Sequence, residues 1–185
     1  MPVYSAQPMW WIMDLIVEAV AGAITGTATL GDKVYRCALG RSGIFSQKRE
    51  GDGATPTGRF PLRQVFYRSD RGTAPATPLP CRALTQQDGW CDDDKDHAYN
   101  QLVTLPSTAR HEELWRADHL YDLILVLGHN DTPVVPGDGS AVFLHVARDD
   151  FGPTEGCVAF AERDLRDILA RLTKDDCVSV HLQHR

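Results

Sequence analysis

The sequence predicts a mostly β domain, a sandwich or barrel with an inserted loop region and one or two helices. Three observations carry this. Short runs rich in Val, Ile, Thr and Tyr fill the first third of the chain, punctuated by Gly22, Gly26, Gly31 and Gly40. Two apolar runs of strand length, in "YDLILVLGHN" and "SAVFLHVA", come late and read as strands buried on both faces. Only one segment has a clear helical period. In "AERDLRDILARLT", Leu165, Ile168, Leu169 and Leu172 stand at i, i+3, i+4 and i+7, with charges elsewhere.

Taken in order, the N-terminal stretch "MPVYSAQPMWWIMDLIVEAVAGAITG" is apolar, but no Lys or Arg precedes its apolar part, and Asp14 and Glu18 interrupt it. A secretory signal needs a positive start and an unbroken core, and a membrane span needs about twenty apolar residues. The stretch fits neither. It reads as the start of the domain, its export signal absent, unrecognised or removed, and Asp14 to Ala19 alternates as a strand. "AITGTATL" and "KVYRCALG" follow as strands, and a long loop then closes into a strand near Phe60 to Arg68. Residues 69–107 are rich in Pro, Asp and Gly and too long for a plain loop, so they read as an insertion or lid with fixed structure of its own. "HEELWRA" reads as a short helix, and "CVSVHL" closes the chain as a strand.

At 185 residues the chain is the size of one domain, taken as 1–185, and large enough to bury a core without staples. A 43% hydrophobic fraction argues for a globular protein. The formal net charge of −6 argues against a nucleic-acid binder, which needs a basic face to neutralise phosphates. Five cysteines show neither a CxxC pair nor zinc-ribbon spacing. Cys81 and Cys91 bracket "CRALTQQDGWC". They either pair in an oxidising compartment or stay free, and spacing does not choose.

The chemistry concentrates in "FLHVARDDFGPTEGCVAF". An apolar run delivers His145, a polar turn follows, and Gly156-Cys157 leads back into apolar sequence. A thiol attacks as the thiolate, so a nucleophilic cysteine needs a base or a positive field. His145 is the partner best placed in sequence. Amides of Gly156 and Cys157 are candidates for an oxyanion site. Val146 has no polar side chain, so a backbone carbonyl or a distant residue must orient the imidazole. A helix starting early enough after Cys157 would add its dipole.

"FLH" followed by "TEGCVA" resembles the L,D-transpeptidase catalytic domain, the YkuD-like family, in which a strand ends in His and a variable loop leads to Ser/Thr-His-Gly-Cys. "DGATPTGRFPL" is similar to that family's Thr-Pro-x-Gly-x-Phe segment, and "CALGRSG", "KREGD", "DGWCDD" and "LYDLILVLGHN" resemble a proteobacterial branch. The resemblance spans Asp14 to Leu182. It implies a cysteine acyltransferase of the periplasm or cell envelope, acting on peptidoglycan stem peptides without metal or organic cofactor. Cys157 would attack the third-residue carbonyl of a tetrapeptide stem and release D-alanine. An amine of a second stem would resolve the thioester, and water in its place would make an L,D-carboxypeptidase. Carbapenems would acylate the same thiol. His129, Asn130, Arg148, Thr154 and Tyr99 are the substrate-binding candidates, with Trp90 and Asn100 beside the cleft. The chain departs from the pattern at Glu155, where the motif has His, and at Ala159, where it has Arg or Asn. Arg148, Arg41 and Arg68 are the candidates to replace that arginine.

Two other functional classes compete. His129, His145 and Cys157 could form a three-ligand zinc hydrolase site, although their spacing is no recognised pattern. A non-catalytic wall-binding domain would treat Glu155 and Ala159 as signs of decay. Gly51, Asp52, Gly53 and Gly58 lack the phosphate-loop order and read as a turn. Asp92, Asp93, Asp94 and Asp96 read as a solvated turn rather than a calcium loop.

Overall fold

The computed structural model describes residues 13–183, so residues 1–12 of the N-terminal stretch read above lie outside the described residues. The strands are β1 (Leu15–Ala19), β2 (Thr25–Leu30), β3 (Lys33–Ala38), β4 (Ile44–Phe45), β5 (Thr55–Pro56), β6 (Gly58–Tyr67), β7 (Cys81–Ala83), β8 (Asp88–Cys91), β9 (Leu102–Thr104), β10 (His111–Glu113), β11 (Leu123–Leu127), β12 (Phe143–Val146) and β13 (Val158–Phe160). Helix α1 (Glu162–Arg171) and β14 (Cys177–Leu182) follow.

The main sheet runs β11-β12-β13-β3-β2-β1-β14-β6-β7, and a further β11–β6 pairing closes it. Closure is possible because β6 is long. Its first half pairs with β14, from Cys177↔Pro61 to Val180↔Gly58, and its second half pairs with β11, from Leu127↔Leu62 to Leu123↔Tyr67. A barrel removes exposed edges from most of the sheet. The sequence allowed a sandwich or a barrel, and the strands form the barrel.

Alternation sorts side chains onto the two faces of each strand. Leu144, Val146, Val158 and Phe160 share an apolar core with Leu15, Val17, Leu125 and Val180, and the helix stripe Leu165, Ile168, Leu169 and Leu172 is buried in the same cluster. The helical period read from the sequence is thus the packed face of α1. Opposite faces of β11 and β12 present Ile124, Val126 and Phe143 to a second cluster with Tyr121, Leu114 and Cys157.

That second cluster is covered by a three-stranded sheet, β10-β8-β9. Most of it comes from the segment 69–107, which does carry structure of its own. Asp88 fastens it, accepting two bonds from the Arg82 guanidinium at 2.9 and 2.7 Å and one from the Thr85 N–H at 2.7 Å. "HEELWRA" is not helical: His111–Glu113 pairs with β8, His111↔Cys91 to Glu113↔Gly89. Seven residues give too few helical bonds to repay nucleation, and a strand places Glu112 against Tyr121 while burying Leu114. Among the described residues α1 is the one helix of the fold. Cys81 and Cys91 are free thiols. They lie on β7 and β8, in different sheets.

Asp14 locks the seam where β1, β14 and β6 meet. Its carboxylate takes Arg59 Nε and Nη2 at 2.6 and 3.0 Å, the Cys177 N–H at 3.0 Å and the Ser179 hydroxyl at 3.1 Å. The Arg59 bond comes first in holding this carboxyl below the ordinary range, against the opposing effect of burial. We expect Asp14→Ala to strand these donors and destabilise the fold by about 1–3 kcal/mol. Urea unfolding checks this, and an unchanged midpoint would remove Asp14 from the seam.

Candidate active site

Why do His145 and Cys157 meet, twelve residues apart? β12 and β13 run parallel, with Leu144↔Val158, His145↔Ala159 and Val146↔Phe160 in register. Parallel neighbours need a crossover connection, and the polar turn after His145 is that connection. Residues two apart on a strand share a face, so His145 sits with Phe143 and Ala159. Cys157, one residue before β13, joins them: its Sγ accepts the Phe143 N–H at 3.3 Å and donates to the Ala141 carbonyl at 3.1 Å. His145, Cys157 and Ala159 line one cavity of about 470 Å³.

The His145 ring is fixed by the backbone. Its Nδ1 lies 2.8 Å from the Val146 carbonyl oxygen. A carbonyl only accepts, so Nδ1 carries the proton and Nε2 is left as the basic atom. Tyr121 meets the ring edge-on at 5.3 Å, and its hydroxyl donates to Glu112 at 2.6 Å. Burial pushes His145 down to about 4, helped by the Arg116 charge and opposed by the Val146 carbonyl. Burial pushes the Cys157 thiol up to about 12, helped by Glu112 and opposed by the Phe143 N–H and Lys48. The resting pair is therefore a neutral thiol beside a neutral imidazole. Helix α1 begins at Glu162, beyond β13, so its N-terminus does not act on the thiol.

Two threonines shape the turn into Cys157. The Thr154 hydroxyl donates to the Cys157 carbonyl at 2.7 Å and accepts the Gly156 N–H at 3.1 Å. Thr55, fully buried, places its hydroxyl 3.4 Å from the same carbonyl. The Thr-Pro of "DGATPTGRF" thus buttresses the backbone at Cys157, a role that its position before a strand did not reveal. The Gly156 N–H is consumed within the turn, while the Cys157 N–H has no hydrogen-bond partner among the described residues. Gly156 has φ +137°, and a Cβ there would lie 2.8 Å from the Ala54 carbonyl oxygen, so only glycine fits.

The remaining sequence candidates are placed as follows. Arg148 and Thr154 line the cavity. Tyr99 is buried behind it: its hydroxyl donates to Glu50 at 2.5 Å and accepts the Gly139 N–H at 3.1 Å. Asn100 takes the Trp90 indole N–H and the Ala141 N–H, which orders the stretch leading into β12. Asn130 caps its own loop through Val135 and Gly139. His129 is held by the Asp138 carbonyl at 3.0 Å and the Phe60 edge, away from the cavity lining. His129, His145 and Cys157 do not converge, and no metal-binding group of three His, Cys, Asp or Glu forms among the described residues. The zinc-hydrolase alternative therefore loses its ligand set. Glu155 points out to Arg41 at 2.8 Å. Arg68 stacks on Trp115 at 3.7 Å, pairs with Asp70 and donates to the carbonyl of Arg116, a residue of the cavity wall, without itself lining the cavity. Lys48, Glu50 and Glu112 line the cavity although nothing in their spacing marked them. Glu112 was hidden by the helical reading of its segment.

The sequence model of the YkuD L,D-transpeptidase catalytic domain matches residues 26–180. The chain belongs to the YkuD family. The match runs from β2 to β14 and includes every cavity residue named above. Among solved structures, this YkuD chain is similar to Mycobacterium tuberculosis L,D-transpeptidase 1, at 13% identity and a TM-score of 0.38, over 92% of this chain and 63% of that one. No curated protein matches.

The electrostatics of this YkuD site give a pH signature. A thiol raised toward 12 has a thiolate fraction that grows about tenfold per pH unit at lower pH. We expect iodoacetamide labelling of Cys157 in the free protein to climb continuously from pH 7 to 9. A plateau near neutrality would reveal a resting thiolate–imidazolium pair instead.

Proposed function

We propose that the protein is a peptidoglycan L,D-transpeptidase of the bacterial cell envelope, working in the periplasm through a Cys157 thioester. The observation that carries this reading is the parallel β12–β13 pair, which brings Cys157 and His145, its Nδ1 held by the Val146 carbonyl, to line one cavity. Family membership supports the reaction class. A tetrapeptide stem is the donor, D-alanine leaves, and an amine of a second stem accepts the acyl group. Water as the acceptor gives the carboxypeptidase outcome at the same site.

The mechanism follows from two neutral partners. Sulfur attacks the carbonyl carbon as the thiol proton passes to His145 Nε2, so charge separates only when an electrophile is present to receive it. The oxyanion forms beside the Cys157 N–H. His145 then returns the proton to the leaving amine, the carbon–nitrogen bond breaks, and the thioester remains. The acceptor amine reverses the sequence, losing a proton to His145 and expelling sulfur. The Val146 carbonyl keeps Nε2 unprotonated at rest and stabilises the transient imidazolium. Arg148, which lines the cavity with only a 3.4 Å contact to the Pro153 carbonyl, is available for a substrate carboxylate.

Three outcomes test this. Cys157→Ala should abolish D-alanine release from tetrapeptide stems while the protein stays folded; release at the wild-type rate would end the nucleophile assignment. A carbapenem should add one drug mass to the peptide containing Cys157, and adducts confined to Cys37 or Cys177 would count against the site. His145→Ala should lower turnover by a factor on the order of 100 or more, whereas Glu155→Gln, at an exposed pair with Arg41, should cost little. Equal losses across pH 6 to 9 would make Glu155 a participant.

A further inference from the structure

We propose that Lys48 is the cationic donor of the oxyanion site, its ammonium lying beside the Gly156-Cys157 turn. The inference deepens the acyl-transfer reading above and rests on it. Its starting point is a shortage. Gly156 spends its N–H on Thr154, which leaves the Cys157 N–H as the one backbone donor of the Gly-Cys pair without a partner among the described residues. A developing oxyanion held by a single amide is poorly stabilised.

Lys48 is built into that gap. Its side chain is only 8% exposed, an unusual burial for an ammonium. Its stem lies across Gly139, where a Cβ would come within 2.7 Å of Lys48 Cγ. Its Nζ reaches the Gly-Cys turn, 3.3 Å from where a Gly156 Cβ would stand. One lysine therefore spans three loops, resting on one positive-φ glycine and ending against another. Gly156 is glycine partly because this ammonium occupies the space beside it. Lys48 also lines the cavity that holds Cys157 and His145.

The holding partner is Asp52, ion-paired to Nζ. Asp52 is itself fixed by the Ala54 and Arg49 N–H groups at 2.8 and 2.7 Å. Burial pushes its carboxyl up, but the bonds from Lys48, Ala54 and Arg49 outweigh that and leave it below the ordinary range. An ammonium has three donors, so one given to Asp52 leaves others for substrate. Lys48, Glu50, Asp92, Glu112, Arg116, Arg148 and Glu155 are the charges that line the cavity around the Gly-Cys turn. Glu112 from β10 opposes a thiolate and His145 from β12 accepts its proton. Glu155 turns out to Arg41, and His129 lies against Gly139 with its charged form disfavoured first by burial and then by Lys48. Lys48 is the cation placed to favour negative charge at sulfur and at the carbonyl oxygen.

The test compares wild type, Lys48→Met, Asp52→Asn and the double variant Lys48→Met/Asp52→Asn, each checked for a native melting transition. Tetrapeptide turnover, carbapenem acylation of Cys157 and iodoacetamide labelling against pH are the readouts. We expect Lys48→Met to lower kcat by about 100-fold, the loss typical of one oxyanion donor, with KM changed less than threefold. The labelling curve of Cys157 should shift to higher pH, a change that loosened packing alone would not produce. The double variant should lose as much as Lys48→Met. If the double variant recovers activity, the loss came from an unpaired Asp52 and the proposal fails. If Lys48→Met turns over within threefold of wild type, or lowers activity with an unmoved labelling curve, the proposal also fails. A wild-type protein that neither turns over stems nor is acylated at Cys157 overturns the acyl-transfer reading itself, and this inference with it.

Discussion

The site depends on one constraint: β12 and β13 pair in parallel although they are almost consecutive in the chain. An antiparallel hairpin would bring the chain back with two or three residues of turn. A parallel return must carry it back along the full length of the strand before it re-enters the sheet. The segment from Ala147 to Cys157 does this, and its far end arrives beside Phe143. Register then does the rest, because aligned residues of parallel neighbours share a face. His145 is held by the β12–β13 ladder, and Cys157, just before β13, by its bonds to Phe143 and Ala141. The crossover is tied down at several points by main-chain bonds, Thr154 to Leu39 and Arg41 to Thr154 among them. Its closing residues are thus as fixed as the strands.

Burial sets the character of the chemistry. The same packing that positions the thiol and imidazole also removes water from both, so each prefers its uncharged form. An exposed cysteine in a positive field would rest as a thiolate and meet any electrophile in solution. Here the resting pair is a neutral thiol beside a neutral imidazole, and an ion pair between them is disfavoured. The threonine pair around the Cys157 carbonyl fits this logic. It satisfies a backbone acceptor that would otherwise compete for the donors a substrate oxygen needs.

Much of this was legible in the sequence, and the residues show why. The stripe from Leu165 to Leu172 was readable because one face of α1 is buried, and β11 and β12 were readable because both of their faces are. That His145 and Cys157 line one cavity was readable from chain order and from resemblance to the family. What escaped is non-local. β10 looks helical in isolation and is a strand because β8 lies beside it. His129 and Asn130 follow a buried strand closely, yet the turn after Leu127 carries them to the other side of the loop, where Asp138 and Val135 satisfy them. Lys48 and Glu50 sit in a polar stretch whose charges look solvated. Their burial is created by Tyr99, Gly139 and Ser140, residues about fifty and ninety positions away. No window along the chain contains that information.

The two departures from the family motif, Glu155 and Ala159, both line the cavity that holds Cys157. Ala159 is opposite His145 on one side and Ala38 on the other, with 1% of its surface exposed. Arg41, just after β3, grips Glu155 on the turn that leads into Cys157. Its guanidinium also donates to the Gly51 carbonyl, which links the turn to the loop that carries Lys48 and Asp52. In this arrangement Glu155 is the handle by which a neighbouring strand holds the crossover. Its carboxylate is drawn outward and neutralised, so it does not repel charge at sulfur. An acidic residue beside a nucleophilic cysteine is tolerable on these terms: exposed, paired, and tied to the structure on the side away from the thiol.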